Sequence, residues 1–148
     1  MAYCFEFDAT HRIIRGRLIE QITDQELMDF YRTIALLCGL LAPHAGIADL
    51  SEATSFVTPG KIRELAKLPP AMPEPARPRF IVAPSDDLYG LARMFQIEGE
   101  DTRPNLHVIR SAEDAFSMLG VEKPSFEPVS RVIGSVISIP RNMWEEQA

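Results

Sequence analysis

IADLSEATSFVTPGKIREL, residues 47–65, decides the fold. A short apolar run ends in Asp49-Leu50-Ser51, a polar stretch follows, and Thr58-Pro59-Gly60 opens a helical pattern. GIADL reads as a short buried strand. Thr58 suits the N-cap, where its hydroxyl accepts from a free backbone N–H. Pro59 suits the first helical position, where a missing N–H costs nothing. Ile62, Leu65 and Ala66 then fall on one helix face. A strand, a polar loop over 51–58 and a helix make the start of a β-α unit.

The same pattern extends both ways. Upstream, YCFEF (3–7) and IIRGRLI (13–19) are rich in aromatic and β-branched residues and flank the turn-like DATHR. TDQE at 23–26 has the form of a capping box. Leu27, Phe30, Ile34 and Leu37 follow at helical spacing and predict an amphipathic helix over about 24–38, weakened by Gly39. Downstream, PPAMPEPARP (69–78) cannot be regular helix. RFIVAP (79–84) and LHVIR (106–110) read as strands. SDDLYGLARMFQ (85–96) and SAEDAFSMLG (111–120) read as helices capped by Ser85 and Ser111. The order β-β-α-β-α-β-α-β-α predicts one α/β domain. Its mixed central sheet has four to five strands, and about four helices pack mostly on one side. The domain is expected over 1–128. Residues 129–148 read as a C-terminal extension, either an edge strand in RVIGSVISIP (131–140) or an oligomerisation arm, with RNMWEEQA (141–148) fraying.

The chain has 148 residues, 46% hydrophobic and 24% charged, a composition that folds without disulfides. A net charge of −6 argues against a general nucleic-acid binder. Cys4 and Cys38 read as a pair of buried thiols, since no CxxC is present. The N-terminus lacks the pattern of a secretory signal, and the longest apolar run, IALLCGLLA, is too short to span a bilayer. The expected setting is therefore a reducing cytoplasm, without membrane insertion.

The element order and the strand end Asp49-Leu50-Ser51 resemble the STAS domain, the fold of SpoIIAA-like anti-sigma-factor antagonists. The whole chain is similar to a SpoIIAA-like group of bacterial proteins through DLSEAT, YGLARMFQ and VIRSAEDAFSMLG. In the STAS family the loop after this strand carries Asp-Ser-Ser-Gly at the start of a helix. Here Gly60 falls where that Gly falls, Val57 replaces the Asp, and Thr58 aligns with the first Ser. Pro59 takes the place of the usual phosphate acceptor and has no hydroxyl. The resemblance thus implies a regulatory, protein-interaction module with a degenerate phosphoswitch. Its working surface would present Ser51, Ser55, Thr58, Lys61 and Arg63. Thr58 is read as a cap, although a phosphate there would meet free N–H groups and the positive end of the helix dipole. Ser51 and Ser55 are weaker acceptor candidates and suit turns.

No catalytic set emerges. His11, His44 and His107 lie in separate segments, and no HExxH, GxSxG, P-loop or GxGxxG occurs, so no enzyme, metal or cofactor is expected. Tyr89 and Arg93 share a helix face at i, i+4 and form a candidate ligand or anion contact; the alternative is an internal ion pair of Arg93 with Glu64 or Asp101. Arg77, Arg79 and Arg103 lie near strand starts and read as a solvated basic rim, offset by Glu98, Glu100 and Asp101. Two rival functions stay open. One is a carrier of an apolar or amphipathic ligand in a CRAL–TRIO-like groove lined by Met28, Met72, Met94, Met118 and Phe116. The other is a homo-oligomer joined through 129–140.

Overall fold

The computed structural model describes residues 3–55 and 57–136. Two strands come first: β1 (Tyr3–Asp8) and β2 (Ile13–Gln21). Then α1 (Asp24–Leu41), β3 (Ala45–Ser55), α2 (Pro59–Ala66), β4 (Arg79–Val82), α3 (Asp86–Glu98), β5 (Leu106–Ile109) and α4 (Ala112–Leu119) alternate. β6 (Glu127–Pro128) and α5 (Val129–Val136) close the described chain. One sheet runs in the order β5-β4-β3-β2-β1-β6. β1 lies antiparallel to β2 and β6, whereas β2, β3, β4 and β5 are mutually parallel. The mixed α/β architecture is as expected. The sixth strand is a two-residue pairing of Glu127 and Pro128 with Phe7 and Glu6, too short to leave a sequence pattern.

Local chemistry sets the helix starts. Thr23 and Glu26 close the capping box reciprocally at 3.1 Å each, which stabilises a helix start by about 1 kcal/mol. α1 continues past Gly39, which has open space around it, and stops at Ala42 in the left-handed region (φ 46°), whose N–H donates to the Cys38 carbonyl. Ser85 and Ser111 cap α3 and α4 as expected.

Three differences from the sequence reading have physical causes. β3 does not stop near Leu50 but runs to Ser55. Its partner β2 also continues to Gln21; one register shift lets Ile19 pair with Glu52 and Glu20 with Ala53, and a second lets Gln21 pair with Ser55. Backbone pairing carries the polar residues Ser51, Glu52 and Thr54, whose side chains are exposed at this end of the sheet. The stretch expected as a loop over 51–58 is therefore mostly strand. Second, Val129–Val136 is a helix rather than an edge strand. Val129, Val132 and Ile133 have i, i+3, i+4 spacing and all three are buried, so packing overrides β-branched composition. The rest of the expected arm, 137–148, lies outside the described residues. Third, the thiols are no pair. Cys38 is buried on the inner face of α1, while Cys4 is half-buried on a strand whose alternation turns it away from the core residues Tyr3 and Phe5.

Four helices, α1, α2, α3 and α5, share one core with Phe5, Phe7, Ile14, Leu18 and Leu50. α4 covers part of the opposite face, with Ile13, Ile47, Phe80 and Val82. Beside that second cluster runs a charged ladder: Glu6 lies 3.1 Å from Arg15 and 2.9 Å from Arg17, and Arg17 lies 3.5 Å from Glu52.

The β3–α2 edge and a buried arginine pair

β3 ends at Ser55 and α2 starts at Pro59, with Val57 and Thr58 leading into the helix. Val57, which the resemblance aligns with the carboxylate of the STAS motif, is buried in the core. An ionised Asp in that environment would be costly without a partner. Thr58 is exposed and caps α2, its Oγ1 accepting from the Lys61 N–H at 3.3 Å. Pro59 occupies the first helical turn. A Cβ added at Gly60 would meet only Thr58 Oγ1, at 4.0 Å, so nothing steric demands a glycine there. The inner face of α2, Ile62, Leu65 and Ala66, is buried.

The expected surface residues are therefore distributed unevenly. Ser51, Thr58 and Arg63 are exposed; Lys61 is half-buried. Ser51 lies on β3, its N–H donating to Asp49 Oδ1 at 2.9 Å, and Ser55 ends the same strand rather than sitting in a turn. Lys61 is paired with Glu64 at 2.9 Å and Arg63 with Glu98 at 3.8 Å. Glu98 thus answers Arg63 and not the arginines near the strand starts. The Arg63–Glu98 pair, exposed on both sides, contributes little to stability, so Arg63 can exchange partners readily.

No family model matches the sequence, and no curated protein matches it either. Among the solved structures that match its shape are two of SpoIIAA. The anti-sigma factor antagonist SpoIIAA in its unphosphorylated form superposes with a TM-score of 0.55 and 14% identity, over 82% of this chain and 100% of SpoIIAA. The Bacillus cell fate determinant SpoIIAA in the phosphorylated form gives 0.51 and 15%, over 80% of this chain and 99% of SpoIIAA. The chain has the SpoIIAA-like fold. The resemblance carried by Asp49-Leu50-Ser51 and the element order is thereby matched at the level of architecture.

Within this SpoIIAA-like fold the second candidate pair separates. Tyr89 is half-buried with the Arg110 guanidinium 4.0 Å from its ring centroid. Arg93 is exposed and donates to Gln96 one turn on. Neither Glu64 nor Asp101 receives it, because Arg93 lies on the outer side of α3 while Leu88 and Ala92 face inward.

The histidines stay apart. His11 pairs with Asp8 at 2.9 Å. His107 stacks on Phe80 and lies 2.9 Å from Asn105 Oδ1. His44 is exposed. Among the described residues, no three His, Cys, Asp or Glu side chains gather as a metal set. No described helix is long and apolar enough to cross a membrane.

The arginines expected as a solvated rim behave differently. Arg77 is half-buried and pairs with Glu74 at 3.3 Å. Arg79 and Arg103 are buried, with 8% and 4% of their surface exposed. Arg79 Nη2 donates to the carbonyls of Met72 (2.7 Å) and Glu74 (2.8 Å), tying down the Pro-rich connector. Arg103 donates to the carbonyls of Ala66 and Leu68 at 3.0 Å each, covering the C-terminal end of α2. The pattern of β4 held a signal for this. Residues 79 and 81 point to the same face, the one that α1, α2, α3 and α5 cover.

Both arginines line an apolar cavity of about 150 Å³ between α1, the sheet and the connector. A second cavity of about 110 Å³ adjoins it towards α2 and shares Phe30, Tyr31, Ala48, Ile81 and Phe95 as walls. Of the five residues named for a methionine-lined groove, Met72 alone lines either of these two cavities; Met118 is exposed, and Phe116 belongs to the α4 side of the sheet.

Proposed function

We propose that the chain is a non-enzymatic, cytoplasmic regulatory module that docks a protein partner on its β3–α2 edge. The reading is supported by one observation: a SpoIIAA-like fold in which α2 starts on exposed residues, with Thr58 as cap and Pro59, which we align with the family's acceptor, in its first turn. SpoIIAA is an anti-sigma factor antagonist that takes unphosphorylated and phosphorylated forms. In this chain the edge keeps its exposed polar residues, Ser51, Thr58 and Arg63, but the acceptor carries no hydroxyl. The partner is held without the usual phosphate switch, through the exposed edge, the loosely paired Arg63 and the half-buried Lys61.

The test is affinity capture from the protein's own host with wild type, Arg63→Glu, Thr58→Asp and a control, Arg32→Glu, on exposed α1. A partner retained by wild type and the control but lost by both edge variants supports the edge. Equal retention by all four removes it. Intact-mass measurement of the captured protein without phosphate supports the degenerate switch; a phosphate mapped to Thr58 overturns that part.

A further inference from the structure

The SpoIIAA-like edge leaves the buried arginine pair unexplained. Arg79 and Arg103 place two full positive charges in the core, and neither takes part in any ion pair among the described residues. Buried charges are normally paired. Carbonyl oxygens supply only partial charge, and Arg79 Nη1 is buried without a hydrogen-bond partner. Burial, and then the neighbouring Arg103, lower the pKa of Arg79, so the two cations oppose each other. The nearby Cys38 thiol does not neutralise them, because burial raises it to about 11 and keeps it protonated. Tyr31 hydrogen-bonds Arg103 and also lines the cavity. Everything else around the space is apolar: Ile34 and Cys38 of α1, Ala48 and Ile81 of the sheet, Phe95 of α3.

We propose that this cavity binds a straight-chain amphiphile with an anionic carboxylate head, the head meeting Arg79 and Arg103 and the tail lying between α1 and α3. Size sets the tail. An apolar cavity of about 150 Å³ has room for a benzene-sized guest of six heavy atoms. With the adjoining cavity, the space suits roughly ten heavy atoms, an eight-carbon carboxylate. Phe95, half-buried with the Arg103 guanidinium 4.8 Å from its ring centroid, is part of the wall the two cavities share; in the bound form it turns to join them. The carboxylate supplies the missing counter-charge, and an alcohol of the same length does not.

The experiment titrates the full chain with sodium octanoate, 1-octanol and acetate by calorimetry and by thermal shift. Octanoate binds and raises the melting temperature, as any ligand of the folded state does. Octanol binds about 10-fold more weakly or worse, since a charge-assisted contact is absent, and acetate is silent. Arg79→Met binds octanoate and octanol alike. Ile34→Trp, which fills the cavity from a half-buried helix position, loses both while keeping the wild-type circular dichroism. Because Arg79 also anchors the connector, one readout needs no variant: ¹³C-carboxyl octanoate, bound to wild type, stays ionised to lower pH than free octanoate. Octanoate binding no tighter than octanol, no binding up to about 1 mM, or a bound carboxyl that titrates at or above its free value each overturns the proposal. These measurements read the cavity and not the β3–α2 edge, so failure of either reading leaves the other standing.

Discussion

Phe30 occupies the space above Gly16: a Cβ on Gly16 would lie 2.5 Å from Phe30 Cε2 and 2.6 Å from Cζ. The ring is held from its other sides, stacked on Phe5 at 5.3 Å and edge-on to Tyr3 at 5.9 Å. This contact is where α1 seats on β2, and it needs a strand residue without a side chain. Gly16→Ala is expected to cost about 1–3 kcal/mol by overpacking, and Phe30→Leu a comparable amount by loss of volume. The double variant should be more stable than the sum of the two, since each change makes room for the other. Urea denaturation of the four proteins checks this; simple additivity would mean that Phe30 moves away freely.

Thr58 offers a second, independent test of local chemistry. Its hydroxyl satisfies one free N–H at the start of α2. Thr58→Ala should lose about 1 kcal/mol of stability, whereas Thr58→Asp should lose almost none, because Asp caps as well and its charge suits the helix N-terminus. Equilibrium unfolding separates the two. A loss as large for Asp as for Ala would show that the cap is not the role of this side chain in the folded protein. The same pair serves the docking proposal, because Thr58→Asp perturbs the edge while sparing stability.

The two thiols should react at different rates. Burial raises Cys38 to about 11, and a thiol in that state presents almost no thiolate near neutrality. Titration with a chromogenic disulfide at about pH 8 should leave Cys38 unmodified until the protein is unfolded in denaturant. Cys38→Ser should therefore leave the native-state reaction unchanged and abolish only the phase released by unfolding. Fast native labelling of Cys38 would show that the α1 side of the cavity opens to solvent.

Periodicity and caps were sufficient to place β1 to β5 and α1 to α4, because each has an apolar stripe or a capping residue of its own. Asp49-Leu50-Ser51 and the element order were enough for the SpoIIAA-like fold. What the sequence did not reveal depends on partners distant in the chain. β3 continues through Ser51–Ser55 only because β2 supplies a matching edge to Gln21. α5 forms where β-branched residues suggested a strand, because Val129, Val132 and Ile133 find a core to enter. Arg79 and Arg103 lie 24 positions apart and read singly as surface cations; their convergence on one cavity is a product of the β4–β5 pairing that brings Arg79 opposite Leu106.

Asp8 closes the β1–β2 turn and gives the protein a predictable acid limb. The residue is fully buried, and its carboxylate accepts from the His11 N–H (3.0 Å), the His11 ring (2.9 Å) and the Ser125 N–H (3.0 Å). Burial pushes the carboxyl upward, but the His11 and Ser125 contacts outweigh it and hold its pKa below the ordinary value. A group with a lowered folded pKa stabilises fully above its unfolded value, near 3.9, and loses that contribution as pH falls through the folded pKa. The unfolded chain binds the proton first, so stability falls with falling pH in this window. Asp8→Asn should cost roughly 1–3 kcal/mol near neutrality, since its amide turns a donor towards donors. The gap between wild type and Asp8→Asn should narrow steadily below about pH 4, which urea midpoints across that range would record. A gap that stays constant down to the acid limit would mean that Asp8 titrates alike in both states and that the turn is held by geometry alone.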